Sequence, residues 1–369
     1  PDTYGAADLG RPSLYAAAAL KSRAAMYAGS IASWGTVQID GLVGIPADKK
    51  EHFWQESLNA SNRLLHGSPF ALYEKYPDDR SKNYRNIFLD ENNCEVIFSE
   101  IYDGKSGKGH SWDMWQNPSG YNAWAGGQQN CVYLEFVESY ENVDGSDPTI
   151  DREKVAQYYT WTLDELWGKK DPRFKASIYT QGTPWTHEGA SVTLDYHVGI
   201  FVDGQWINDG FYEGVPALGF CANNWRPTPF GILKYLDESS AMIPERYYSK
   251  TDWIVFRLGE IYLNFAEAAF ELNKPDSALW AVNKIRARAG MPELQSITRE
   301  QIRHERKIEL AFEGNRYWDV RRWRTAVQDL SHAWHGMRYK LDWATQKYYV
   351  EIVDNICGTP DPYFNEMHY

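Results

Sequence analysis

FRLGEIYLNFAEAAFEL, residues 256–272, is the stretch that decides the fold. Leu258, Ile261, Tyr262, Phe265, Ala268, Ala269 and Leu272 recur at steps of three and four, which lays a nearly continuous apolar stripe along one face of a helix. Pro275 and Asp276 then turn the chain into a second helix, Ser277 to Ala289, with Ala278, Ala281, Val282 and Ile285 facing inward and Gly290 and Pro292 closing it. The two make an antiparallel hairpin. Thr298, with Gln301 three positions on, forms a capping box that starts a further helix running to about Phe312 before Gly314. Beyond Trp323 the patterning is weak.

Leu258 to Met291 covers about the 34 residues of a tetratricopeptide unit, and one such unit needs neighbours to bury its outer face. The start of the chain offers them. Gly10 to Gly29 is Ala-rich, with Pro12 at a first turn and Gly29 as a stop. After Asp48, Phe53, Ser57, Ala60 and Leu64 run beside Trp54, Leu58, Ser61 and Leu65 until Gly67 ends a second helix. From Tyr76 to about Lys250, Gly, Pro, Asn and Asp punctuate short apolar strings such as CEVIFSEIY and SVTLDYHVGIFV, so long loops and short strands are expected, with brief helices around 131–140 and 152–167. The chain therefore reads as mainly α: tetratricopeptide-like helices over 1–75, a loop-rich ligand-binding subdomain with short strands over 76–250, and a helical region over 251–369.

The 369 residues are enough to bury a core without metal or disulfide staples. A formal charge of −12 repels phosphate backbones, so nucleic acid and anionic membrane surfaces are not expected partners. No run approaches the roughly 20 apolar residues of a bilayer-spanning helix, and no signal peptide is visible. A chain that starts at Pro1 without Met reads as processed or truncated. Cys94, Cys131, Cys221 and Cys357 form no CxxC pair, so they read as buried thiols, and no cofactor is expected.

Several strings imitate catalytic motifs. GKSGKGHS, Gly104 to Ser111, has Walker A spacing, but His110 stands where the loop needs its lysine and Pro118 follows where a helix would run, so it reads as a loop. His187-Glu188 opens like a zincin helix, yet Ser191 replaces the second histidine. His332 and His335 lack a third ligand nearby, and there is no GxSxG string. Asp103, Asp113, Asp171 and Asp195 are the candidate carboxylates if the chain were a glycoside hydrolase. Asp144, Asp147 and Asp151 read as a solvated turn in preference to a calcium loop, because Gly145 breaks the EF-hand pattern.

The distinctive feature is aromatic abundance, with 16 Trp and 25 Tyr, concentrated beside amides in Gly/Pro-rich segments. Between Gly109 and Asn130 lie Trp112, Trp115, Tyr121 and Trp124, with Asn117, Asn122, Gln128 and Gln129; Trp185, Trp206 and Trp225 follow. A pyranose ring presents C–H bonds on a face and hydroxyls around its rim, so a sugar site needs an indole to stack on and planar donors and acceptors alongside.

FRLGEIYLNFAEAAFEL, ALWAVNKIRARAGMPEL and HERKIELAFEGNRYWDVRRW (His304 to Trp323) closely resemble, in that order, the C-terminal signature of the SusD/RagB family, cell-surface nutrient-binding lipoproteins of Bacteroidetes. AAALKSRAAMYA resembles a family tetratricopeptide helix, VESYENVDG from Val137 the segment before its irregular region, and KKDPRFKASIYTQGTPW from Lys169 its Asp-Pro-Arg-Phe block. The resemblance implies a non-catalytic glycan receptor on the outer face of the outer membrane, passing oligosaccharide to a SusC-like TonB-dependent transporter. Its lipid anchor would be an N-terminal cysteine that this chain does not carry; the family's Pro-Ile-Pro and Asn-Pro segments are likewise absent beyond Tyr369. Because the family holds ligand on its loop-rich half, Trp112, Trp115 and Trp124 are expected to stack on sugars, Asn117, Gln128 and Asn130 to read hydroxyls, and Trp185 and Trp225 to be second choices. Glu305, Glu309 and Glu313, with Arg306, Arg316, Arg321 and Arg322, read as fold-holding ion pairs. The rival readings are a tetratricopeptide protein-interaction scaffold with no glycan site and, third, a glycoside hydrolase.

Overall fold

The computed structural model describes residues 1–2, 5, 8–105, 107–121, 127–222, 226, 228–238, 246–354 and 356. The chain divides into two compact units, Pro1–Ile101 with Asp252–His332, and Tyr102–Thr251 with Ala333–Thr359. The sequence boundaries fall elsewhere because strands Val96–Glu100 and Trp253–Arg257 pair antiparallel, which ties 76–101 to the helices.

The first unit is helical. Helix Leu14–Trp34 is capped by Ser13, whose side chain accepts from the Ala16 N–H, and it packs on helix Lys50–Gly67 through small residues. Ser22 and Ser61 share a 2.8 Å hydrogen bond, and Ser57 donates to the Ser22 carbonyl. Gly29 does not end the first helix. A Cβ there would lie 2.7 Å from the Trp54 ring, so the glycine makes room for an indole whose N–H reaches Ser33 at 3.0 Å, and the helix runs on to Trp34. Helix Leu258–Glu271 lies against both Lys50–Gly67 and Pro275–Ala289, and Met26, Trp54, Leu58, Phe265, Val282 and Ile302 form the shared core. Gly290 closes the hairpin at φ +79°, where a Cβ would be strained. The Thr298/Gln301 capping box starts helix Arg299–Glu309 as read.

Charge is buried in this unit at high density. Arg257 contacts Glu95 at 2.8 Å, Glu309 at 2.7 Å and Glu313 at 2.7 Å, while Arg288 binds Glu95 at 2.7 Å and also Glu309. Arg306 meets Asp319 at 2.8 Å, Arg322 meets Asp319 at 2.9 Å and also Glu267, and Glu305 takes Arg286 at 3.2 Å. These pairs give Glu305, Glu309, Glu313, Arg306 and Arg322 the structural role read from the sequence, and Arg316 pairs with Asp329. Arg321 differs: it lies 3.5 Å from the centroid of exposed Tyr317.

The second unit is loop-rich, with helices of one or two turns such as Trp112–Gln116, Leu134–Glu138 and Pro172–Ser177. The 152–167 stretch is two short helices, Arg152–Ala156 and Leu163–Trp167, parted by Tyr158 at φ +54° and strand Thr160–Trp161. A five-stranded sheet runs in the order Thr160–Trp161, Lys347–Val353, Gly336–Asp342, His197–Val202, Gln205–Ile207, parallel only between Gly336–Asp342 and His197–Val202. The weakly patterned end of the chain thus supplies two of its three inner strands. Met337, Tyr339 and Leu341 point inward, and the Tyr339 hydroxyl accepts from the Trp167 indole at 2.8 Å. The fold is mainly α with a short-stranded, loop-rich part, and no helix among the described residues is long and apolar enough to cross a membrane.

Candidate functional site

The amide-flanked aromatic segment is built on the one-turn helix Trp112–Gln116. His110 fixes its start: one ring nitrogen accepts from the Trp112 N–H at 3.1 Å while the other faces the Thr251 carbonyl at 2.8 Å, which sets the tautomer. His110 and Ser249 form an isolated bridge, and the Tyr247 N–H donates to Ser111 at 3.0 Å. Gly109 allows this approach, because a Cβ there would lie 1.9 Å from the Tyr247 carbonyl oxygen. The Walker-like string therefore ends in a backbone clasp. On the other side the chain doubles back, with the Gln128 N–H donating to the Asn117 carbonyl at 2.8 Å and the Gln129 N–H to the Trp115 carbonyl at 2.9 Å.

Two indoles emerge from this frame half-buried. The Trp112 N–H donates to the Lys234 carbonyl at 3.1 Å, which fixes the ring. Over the Trp115 ring lies the guanidinium of exposed Arg246, 5.4 Å from the centroid, and Gln129 and Asn130 are exposed on the adjacent strand of chain. A fixed indole, a planar cation and two amides form the donor and acceptor set that a sugar face and its hydroxyls require. Nearby in sequence, Tyr121 packs against His187 and Phe220 with centroids 4.8 Å away in each case, and Phe220 is 60% exposed. Beneath, Asp113 accepts from the Asp237 N–H at 3.0 Å, and burial pushes its carboxyl up to about 7.

Three of the expected contacts turn inward. Asn117 is buried and donates to the Tyr121 carbonyl at 2.7 Å; Gln128 is buried, donates to the Thr228 carbonyl and accepts from the Tyr196 hydroxyl at 3.0 Å. Both amides are spent on holding loops together. Trp185 is 2% exposed in the Pro184–His187 hairpin strand, edge-on to Tyr179. Trp124 and Trp225 lie outside the described residues. Of the eight expected contacts, Trp112, Trp115 and Asn130 are the ones described at the surface. Arg246 was missed because nothing local marks it: the clasp to Ser249 brings it from far along the chain.

The other strings have structural uses. His187 and Glu188 sit at a hairpin tip where Glu188 and Gly189 both have positive φ, a turn and no helix. Asp171 is locked to buried Arg173 at 2.7 Å, Asp195 takes the His197 ring at 2.7 Å, and Asp103 accepts from the Lys105 N–H. Asp144 pairs with Lys169 and binds Ser146, and Asp151 caps a helix. His335 is held by Glu135, and helix Ala326–Leu330 ends before either His332 or His335. Cys221 is buried, with its thiol pushed up to about 12 by that burial, whereas Cys94 is exposed, contrary to expectation, and Cys357 lies outside the described residues.

A family model described as the SusD family matches residues 94–360. The chain belongs to the SusD family. SusD-like protein P25 of Formosa agariphila is 25% identical over 324 residues, 82% of this chain and 52% of that protein. A SusD-like protein of Bacteroides ovatus is 30% identical over 92 residues, 23% of this chain and 17% of that one. The chain thus spans about half the length of the first of these relatives. A solved SusD-like protein from Bacteroides fragilis superposes with a TM-score of 0.71 at 24% identity, covering 99% of this chain and 63% of its own. A SusD-like carbohydrate-binding protein of the same species gives 0.62 at 24% (90% and 56% covered), and a structure with a xylogluco-oligosaccharide gives 0.59 at 16% (89% and 54%). The SusD-family match includes the whole Trp112–Asn130 segment.

Proposed function

We propose that this chain is a non-catalytic, cell-surface glycan-binding protein that captures oligo- or polysaccharide on its loop-rich unit and delivers it to a SusC-like TonB-dependent transporter, tethered to the outer membrane by a lipid anchor. The observation that carries the binding role is the half-exposed Trp115, whose main chain is held by the Gln129 N–H and whose ring lies under exposed Arg246, with exposed Gln129 and Asn130 on the adjoining stretch of chain. Trp112 extends the proposed platform, while Trp124 and Trp225, expected to contribute from the sequence, lie outside the described residues. Membership of the SusD family, the carbohydrate-binding relative and the oligosaccharide held by another relative support the same ligand class. Binding is favoured over hydrolysis by the candidate carboxylates: Asp171 and Asp195 are committed to Arg173 and His197 and Asp113 is buried, which leaves exposed Asp103 without a second of the four to complete the pair that glycoside hydrolysis needs.

The test is retention on polysaccharide-containing native gels. Trp115→Ala weakens glycan binding by about 1–3 kcal/mol, as loss of a central aromatic contact does, with little change in Tm because the ring is only half-buried. Retention equal to the parent protein removes Trp115 from the site.

A further inference from the structure

A second aromatic surface lies apart in sequence from the Trp112–Asn130 segment. On the face of the five-stranded sheet opposite Met337, Tyr339 and Leu341 there is a groove of about 620 Å³, a size typical of small-ligand sites. Lys340 and Tyr349 face one another across the strand ladder at its floor. Trp206 sits edge-on to Tyr349 with centroids 5.3 Å apart, and Val155, Ala156 and Tyr158 form a wall.

Two observations define the occupant. The formally charged lining residues balance, Arg152 and Lys340 against Glu351 and Asp354, and each has an ionic neighbour: Arg152 binds Glu138 at 2.7 Å, Lys340 binds Glu351 at 2.9 Å, and Asp354 faces His335, which Glu135 also holds. A groove with aromatic floor and wall, polar edges and balanced charge suits a neutral polyhydroxylated ligand better than an anion or a cation. Tyr158, moreover, is 75% exposed and held at φ +54°, a conformation that disfavours a bulky side chain. The fold gains little from putting an aromatic ring there, so the ring is placed for something outside the fold.

We propose that this groove is a second saccharide subsite, in which Tyr158 and Tyr349 hold a short stretch of neutral glycan. The proposal rests on the saccharide-binding reading above but shares no residue with the Trp115 platform. Two sites on one chain bind a polymer by avidity, so a polysaccharide spanning both is retained more tightly than a short oligosaccharide reaching one.

The experiment compares the parent protein, Trp115→Ala, Tyr158→Ala, Tyr349→Ala and Trp115→Ala/Tyr158→Ala on gels containing xyloglucan, galactomannan or starch, with matched oligosaccharides titrated calorimetrically. Tyr158→Ala and Tyr349→Ala each weaken polysaccharide binding about fivefold or more, and the double variant falls below either single one. Tyr158→Gly, which relieves the backbone strain, raises Tm while losing the same affinity. Parent-like retention by both tyrosine variants, alongside a loss in Trp115→Ala, overturns the groove and leaves the platform standing. The reverse pattern keeps the groove and removes the platform. A parent protein that none of the three polysaccharides retains overturns both.

Discussion

Replacing Arg257 by Met keeps much of the side-chain volume while deleting the charge that joins three carboxylates. Arg257 is 1% exposed and makes five close contacts: Nη1 to Glu95 and Glu309, Nε and Nη2 to Glu313, and Nη2 to the Glu309 carbonyl. Burial alone would pull its pKa down, but Glu313 and Glu309 outweigh that and hold it well above the usual value, so it stays charged at every accessible pH. Without it, Glu95, Glu309 and Glu313 lose the guanidinium they share, although Arg288 still contacts the first two. Stranding a buried partner in this way costs about 3–5 kcal/mol, far more than an exposed ion pair. The sign of the pH dependence follows. In the variant the buried carboxylates carry negative charge that has lost its partner, so the deficit is largest at pH 7 and shrinks on acidification toward pH 4 as that charge is removed. Urea unfolding followed by tryptophan fluorescence at both pH values measures it. A loss below about 1 kcal/mol, equal at pH 4 and pH 7, would refute the view that this cluster holds the helical unit together.

Asp113→Asn tests the ground under the platform. With its native carboxyl near 7 and an unfolded value of about 3.9, the folded state keeps a proton that the unfolded state has lost, so Asp113 makes stability fall as pH rises from about 4 to 7. The asparagine variant, which still accepts from the Asp237 N–H, should gain up to about 4 kcal/mol over the parent at pH 8 and little at pH 4; equal urea midpoints at pH 8 would contradict this. Gly29→Ala sets a helix-propensity gain of about 1 kcal/mol against overpacking of about 1–3 kcal/mol at the Trp54 ring. A net loss in Tm is expected, and the loss caused by Gly29→Ala should shrink when it is made in a Trp54→Leu background; a gain would mean the ring yields freely. Gly109→Ala forces Tyr247 away from the clasp and should cut glycan retention at least as much as Trp115→Ala; parent-like retention would separate the clasp from binding.

The helical half was legible because its determinants are local. The stripe from Leu258, the Thr298/Gln301 box and Gly290 each act within a few residues of themselves. Gly29 misled because its use is set by Trp54, on another helix, and a packing glycine looks like a capping one. The alternation of Met337, Tyr339 and Leu341 with Arg338 and Lys340 was present but short, and its meaning comes from pairing with His197–Val202, far away in the chain. At the site, the chemistry that binds sugars also satisfies buried carbonyls. Gln128 serving Thr228 and Asn130 facing solvent carry the same kind of side chain, and only the fold of the surrounding loops decides which turns inward.

The most direct measurement is a crystal structure of the protein soaked with the strongest neutral oligosaccharide from a glycan array. The expected result is a sugar ring in van der Waals contact with the Trp115 indole and hydroxyls within hydrogen-bonding distance of Gln129, Asn130 or Arg246. A glycan bound on the helical unit, or an array on which no glycan binds, would contradict it.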